Sequence, residues 1–179
     1  MIDSKFKLRE YLEADKIANS KKTKRPKPFT DYEWRFLIAL RKLESAINMY
    51  ENSIFGKLII KYRKMIWSYN SVRTGITIYP NCFGKGLTLW HYGYIVVNDT
   101  VRAGEYVTVQ CGVNISENVT IGDHVYLAPG VKVLKDLRIA EHVIVGANGV
   151  VTKSIEEADT TWVGVPVKKI SDTGYFRDF

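Results

Sequence analysis

The side chains best able to move a proton near neutral pH or to hold a metal are the imidazoles and thiols. This 179-residue chain has three histidines and two cysteines. His91 lies in "GLTLWHYGYIVVND", residues Gly86 to Asp99, at a phase where the surrounding pattern calls for an aliphatic residue. Histidine is the side chain whose unperturbed pKa lies near neutrality, and one there could take the proton of a hydroxyl. Its plainer role would be to cap the end of a structure. His124 and His142 stand eighteen residues apart and could share a metal, but no third ligand accompanies them, and exposed turn positions are the expectation. Cys82 and Cys111 are too few for a disulfide framework or a closed zinc site and read as buried thiols.

The elements that must position these groups fall into two regions. With 46% hydrophobic and 25% charged residues the chain can build one cored domain plus extra helix. No long apolar span or secretory leader is legible, so a cytoplasmic protein is expected. The N-x-S/T triplets at Asn98, Asn114 and Asn118 then read as polar turns. The net charge of +7 is uneven: residues 1–73 hold 17 Lys and Arg against 8 Asp and Glu, while residues 74–179 hold 9 against 11.

Residues 1–74 read as a basic helical segment. "SKFKLREYLEADKIAN" spaces Phe6, Leu8, Tyr11, Leu12 and Ile17 along one face, and "KKTKRPKP" interrupts it. A second helix is expected from Thr30, with Glu33 completing a capping box. A third, "FGKLIIKYRKMIWSYN", is amphipathic and basic. It could lie on the inner face of a membrane or against a polyanion, or could pack on the next domain with its lysines in water. No base-reading motif is present, so nucleic acid is not expected.

From His91 the chain follows a period of six. Ile95, Val101, Val107, Val113, Val119, Val125, Val131, Leu137 and Val143 fill the fifth place, and the first place is aliphatic in every hexad except that of His91. Counting backwards through Leu89 and Phe83 starts the repeat near Tyr79. Six is neither the helical period nor simple strand alternation; it fits a short strand and a corner, with three corners closing an eighteen-residue coil. Twelve hexads from 79 to 150 predict four coils of a parallel β-helix. Small second-place residues such as Gly104, Gly122 and Ala140 are expected to turn the corners, and the helices and the C-terminal tail to cap the open ends.

This pattern resembles the left-handed parallel β-helix of the hexapeptide acyltransferases. "IYPNCFGKGLTLWHYGYIVVND", "IGDHVYLAPGVKVL", "VIVGANGVVTKS" and "VGVPVKKI" are similar, more narrowly, to the serine O-acetyltransferase branch and its relatives in polysaccharide-biosynthesis loci. The resemblance covers residues 75–170, leaving 171–179 as a tail. It implies a mainly β acyltransferase, a homotrimer, and acetyl-CoA as acyl donor in a groove between neighbouring solenoids. It also implies that His91 is the catalytic base.

Other site residues are expectations built around that one. Asp99 is the first choice to orient His91, with Asn81 and Asn98 as further polar candidates, and Asn81, Tyr92 and Asn98 are expected to bind the acceptor. Ala128, Gly130, Gly146 and Ala147, in register with His91 on one face, are candidates for backbone contact with the pantetheine arm. Lys153, Lys168 and Lys169 could meet the phosphates. The chain departs from the serine enzymes in carrying Thr77 where they carry an aspartate, and in lacking a loop between Val109 and Ile121. A sugar or cell-surface polysaccharide precursor is therefore the expected acceptor. Serine acetylation and a non-catalytic trimeric scaffold are the alternatives.

Overall fold

The computed structural model describes residues 1–27 and 29–177; residues 178–179 of the expected tail lie outside them. Three helices precede the strands. α1 (Lys5–Ala18) starts at Ser4, whose side chain accepts from the Lys7 N–H. α2 (Tyr32–Tyr50) starts one residue later than the capping box predicts. Asp31, rather than Thr30, precedes it, and the Asp31 carboxylate takes the Lys27 N–H and Lys21 instead of capping. α3 (Ile54–Thr74) runs from Ser53 to a left-handed Gly75.

The face of α1 also differs from expectation. Tyr11, Ala14, Asp15 and Ala18 are buried, while Phe6 and Ile17 are exposed. The buried stripe carries a carboxylate, a feature no apolar count would select.

The remainder is a three-walled parallel solenoid. The first wall stacks β1 (Ile76–Thr77), β2 (Ile95–Val97), β5 (Asn114–Ile115), β8 (Lys132–Val133) and β11 (Val150–Val151). The second stacks β3 (Arg102–Ala103), β6 (Thr120–Ile121) and β9 (Arg138–Ile139), with Phe83 and Ile155 bridging to its ends. The third stacks β4 (Thr108–Val109), β7 (Tyr126–Leu127), β10 (Ile144–Val145) and β12 (Thr161–Gly164), with Thr88 bridged above and β13 (Val167–Ser171) folded back antiparallel. Each wall is therefore five levels deep rather than four. The extra level comes from coils at the two ends, where the hexad spacing fails.

Inside, Val97, Val107, Val109, Val113, Val125 and Val143 are fully buried, as a narrow interior filled by β-branched side chains requires. The corners turn at the fourth place, where Tyr106, His124 and His142, Asn118 and Asp136, and Gly112, Gly130 and Asn148 all have positive φ. The small second-place residues serve another purpose: a Cβ on Gly122 would lie 2.5 Å from the Glu141 backbone nitrogen in the next coil. They permit close stacking and do not make the bend.

The helices seal the first end of the solenoid with buried charge. Arg41 is fully buried; its Nε donates to Asp15 (2.7 Å), its Nη1 to Glu44 (3.0 Å) and to the carbonyl of Phe83 (3.0 Å), and its Nη2 to the carbonyl of Gly84 (2.6 Å). Asp15 accepts from the Gly86 and Leu87 N–H groups, Glu44 from Asn81 N–H, and Asn19 from Leu89 N–H. Burial opposes the Arg41 charge, but Asp15 and Glu44 more than offset it and hold its pKa above the ordinary arginine range. No helix among the described residues is long and apolar enough to cross a membrane.

Candidate active site at the His91 corner

The strand register explains why an imidazole stands where a valine was expected. In the lower coils six residues separate the third wall from the first: Thr108 to Asn114, Tyr126 to Lys132 and Ile144 to Val150. In the first coil the corresponding residues, Thr88 and Val96, are eight apart. Leu89, fully buried, takes the aliphatic place, since Val109 N–H bonds the Thr88 carbonyl just before it. Tyr94 is level with Gly112, whose N–H it accepts at 2.6 Å. Trp90, His91 and Tyr92 therefore bulge opposite Gln110 alone. His91 does not occupy the repeat's first place, and Leu89 and Phe83 do not belong to its fifth; the six-residue cut was two residues out of step above Ile95.

The bulge is held at both ends. Gly93, at φ +140°, donates to the carbonyl of Thr74 at 2.8 Å, and Ile95 donates to that of Gly75 at 3.0 Å, tying the corner to the end of α3. Tyr92 meets Tyr32 edge-on with centroids 5.8 Å apart, and Arg73 lies over the Tyr32 ring. On the other side Trp90 packs against Tyr126, and Arg177 from the C-terminal tail covers Trp90 at 5.1 Å. Tyr175 rests on Tyr126, and burial, reinforced by Tyr175, pushes the Tyr126 hydroxyl up. His91 itself is exposed, and among the described residues its ring has no hydrogen-bond partner. An open imidazole framed by aromatic rings and two arginines can accept a proton from a bound hydroxyl beside an anionic co-substrate.

The sequence-predicted site residues divide by corner. Ala128, Gly130, Gly146 and Ala147 do lie below His91, in the corner column that joins the third wall to the first. Gly130 is left-handed, and a Cβ there would strike the Asn148 side chain at 2.2 Å. Lys168 lies across the β12–β13 hairpin from Val163, which sits under Gly146, so it stands at the foot of that column.

Others are elsewhere. Asp99 and Asn98 lie past β2, at the corner joining the first wall to the second; no hydrogen bond links Asp99 to His91. The Asp99 carbonyl accepts from Arg102 Nη1, and the Asn98 side chain accepts from Thr100 N–H and Oγ1. Asn81 occupies the same corner one coil above, where its amide exchanges hydrogen bonds with Asn48. Their nearness to His91 in sequence fails because a wall separates the corners. Lys153 also follows the first wall, after β11, and Lys169 is engaged by Glu157 and Asp172, leaving its ammonium committed.

Lys132 is the cation missed by sequence reading. Its Nζ donates to the Gly112 carbonyl and lies 5.9 Å from the Tyr94 ring, beside the His91 column. A groove of about 540 Å³ runs over the outward residues of the first wall, Thr77, Val96, Asn114 and Lys132. The aromatic run "WHYGY" was the available signal for a departure from the repeat.

His124 and His142 stack in adjacent coils, centroids 5.1 Å apart, in a column with Tyr106 above and Phe176 below. His142 Nδ1 lies 2.8 Å from Asp159. Among the described residues no group of three or more His, Cys, Asp or Glu could hold a metal.

No protein-family model and no curated protein matches the chain by sequence. Solved structures do match its fold. A Neisseria gonorrhoeae serine acetyltransferase in complex with serine is similar over 94% of this chain and 71% of its own, with a TM-score of 0.70 at 22% identity. A Brucella abortus serine acetyltransferase in complex with coenzyme A is similar over 96% of this chain and 71% of its own, at TM-score 0.70 and 22% identity. A further serine acetyltransferase complexed with CoA gives a TM-score of 0.72 at 17% identity, over 93% of this chain and 71% of that one. At these identities the likeness shows a shared β-helix with its helical region, and it covers the helices as well as the coils.

Proposed function

We propose that the chain is an acetyl-CoA-dependent O-acetyltransferase acting on a hydroxyl of a sugar or cell-surface polysaccharide precursor, with His91 as general base. One observation carries this reading: among the described residues, the only corner widened by two residues between the third and first walls is the one that presents His91. The solved structures with coenzyme A support the choice of donor. In the reaction, neutral His91 accepts the acceptor's hydroxyl proton, and the oxygen attacks the thioester carbonyl. The sulfur then leaves and takes the proton back from the imidazolium. The donor would lie along the column of Ala128, Gly130, Gly146 and Ala147, with Lys132 and Lys168 placed to meet its anionic part. A homotrimer in the cytoplasm is the proposed working form, a second solenoid completing the groove on the first wall.

Serine is the second acceptor to consider, because two fold neighbours are described in complex with serine. Against it stand the coils themselves. Val109 to Ile121 runs without an insertion, and Thr77, not a carboxylate, faces out from β1.

The test is thiol release from acetyl-CoA with L-serine, with sugars and with anionic oligosaccharides, for wild type and His91→Ala. Sugar-dependent turnover falling roughly 10²- to 10⁴-fold in the variant is expected. Turnover on serine alone would replace the acceptor. Failure to bind acetyl-CoA would favour the trimeric scaffold.

A further inference from the structure

A second concavity, lined by none of the His91-column residues, lies along α2 and reaches Lys85 and Tyr106 of the first coils. α1 and α3 each pack on α2, and between them a groove of about 1060 Å³ runs along it. Its apolar surface comes from Leu12, Ile17, Trp34, Ile38, Ala39 and Ile66. Ile38, Ala39 and Lys42 recur at the spacing of one helix face.

Charge around this groove is unbalanced. Its two carboxylates are already taken, Glu10 by Lys7 and Lys85 and Glu13 by Lys16. Arg9, Lys24, Arg25, Lys42 and Arg63 also line it; among the described residues none of them forms an ion pair, and the one carboxylate Lys24 acts on, Glu13, is already held by Lys16. Lys42 is half-buried and its strongest charged neighbour is Arg63; burial first, and Arg63 second, hold its ammonium below the usual lysine range. The Trp34 indole N–H, buried beside the groove, has no acceptor. A buried donor and a half-buried cation pair without an anion are costly unless something supplies acceptors.

We propose that this groove binds an anionic amphiphile with a single chain, its alkyl or isoprenoid tail over Leu12, Ile38 and Ile66 and its phosphate head at Lys42 and Arg63. The volume suits such a ligand, since small-molecule sites run about 300–1,000 Å³. A fully seated three-turn helix, ~10 Å across and ~16 Å long, would fill roughly 1300 Å³ and overrun the groove. Binding here is independent of the transferase reading, because its measurement involves no acyl transfer.

The experiment is calorimetric titration of the full chain with decyl phosphate below its micelle-forming concentration. Decyl maltoside, inorganic phosphate and anionic phospholipid vesicles are the comparison probes. Saturable binding of one decyl phosphate per chain is expected, weakened at least tenfold in Lys42→Met and in Arg63→Met. Ile38→Trp, which fills the groove, should abolish it; if that variant does not fold, Ala39→Leu replaces it, with the far-ultraviolet spectrum and melting curve as the check. Equal binding of decyl maltoside, equal binding of inorganic phosphate, attachment to vesicles alone, or decyl phosphate binding unchanged in the variants would each overturn the proposal.

Discussion

The first coil and the coils below it share three walls but are held in different ways. Between Ile95 and Val151 each strand repeats at eighteen residues, and identical valine positions stack on one another. Above Ile95 the spacing widens to nineteen on the first wall and twenty on the others, and helical side chains fix the register through Asp15, Asn19, Arg41 and Glu44. A repeat supplies regularity, and regularity leaves no place for a unique imidazole. The candidate chemistry sits where stacking gives way to a clamp built from another part of the chain.

The largest test of that contrast is Arg41→Met. Removing the guanidinium leaves the Asp15 and Glu44 carboxylates buried without their cation, which typically costs roughly 3–5 kcal/mol. Urea unfolding should register that loss, and amide exchange should show residues 81–89 deprotected before the lower coils. A loss under about 0.5 kcal/mol, the range of surface substitutions, would mean that neighbouring strands alone hold the first coil.

The comparison is sharpened by truncating matched core residues. Leu89 and Leu127 face the interior at the same wall position and are both fully buried. Leu→Ala at either should cost about 2–5 kcal/mol. Leu89→Ala, two residues from His91, should lower kcat, whereas Leu127→Ala, next to Ala128 of the donor column, should act mainly on the KM for acetyl-CoA; equal effects on kcat would erase the distinction between the coils.

How much of this was legible follows from the same contrast. The six-residue period announced the solenoid because each coil restates the same constraint, small interior and tight corner. The fifth level and the bulge at His91 were hidden, because counting letters cannot distinguish a repeat from a two-residue excursion that returns to phase. Asp99 was a plausible partner along the chain, but the intervening β2 carries it to another corner. Asp15, Arg41 and Glu44 looked like ordinary charges on helices. Only tertiary packing shows them to be interior.

A smaller effect is expected at Gly122. A Cβ there meets backbone of the next coil, which cannot rotate aside, so Gly122→Ala should destabilise by roughly 1–3 kcal/mol. At Gly146 the obstruction is the Val163 side chain, and the penalty measured by thermal unfolding should be smaller. Equal penalties would argue that coil spacing is set by something other than this approach.

The smallest and most local probe is thiol labelling. Cys82 is buried in the first coil, and burial pushes its thiol up to about 11, whereas Cys111 is half-buried below the bulge. Iodoacetamide at neutral pH should modify Cys111 first, and Cys82 only as the first coil opens or as pH approaches 11. Labelling of Cys82 should accelerate in Arg41→Met; equal rates for the two cysteines in the native protein would show that the first coil is not closed.

The bulge has one more consequence, because it belongs to a terminal coil. A residue inserted into an interior corner must be matched by strands above and below, and a mismatch there would be passed along the stack in both directions. At the top the bulge has a coil below it only, while above it the chain is pinned at Gly93 and Ile95 to the backbone of Thr74 and Gly75 at the end of α3. The residues between the anchors, Trp90 to Tyr92, can therefore vary with less disturbance to the stack than an insertion in any interior corner would cause.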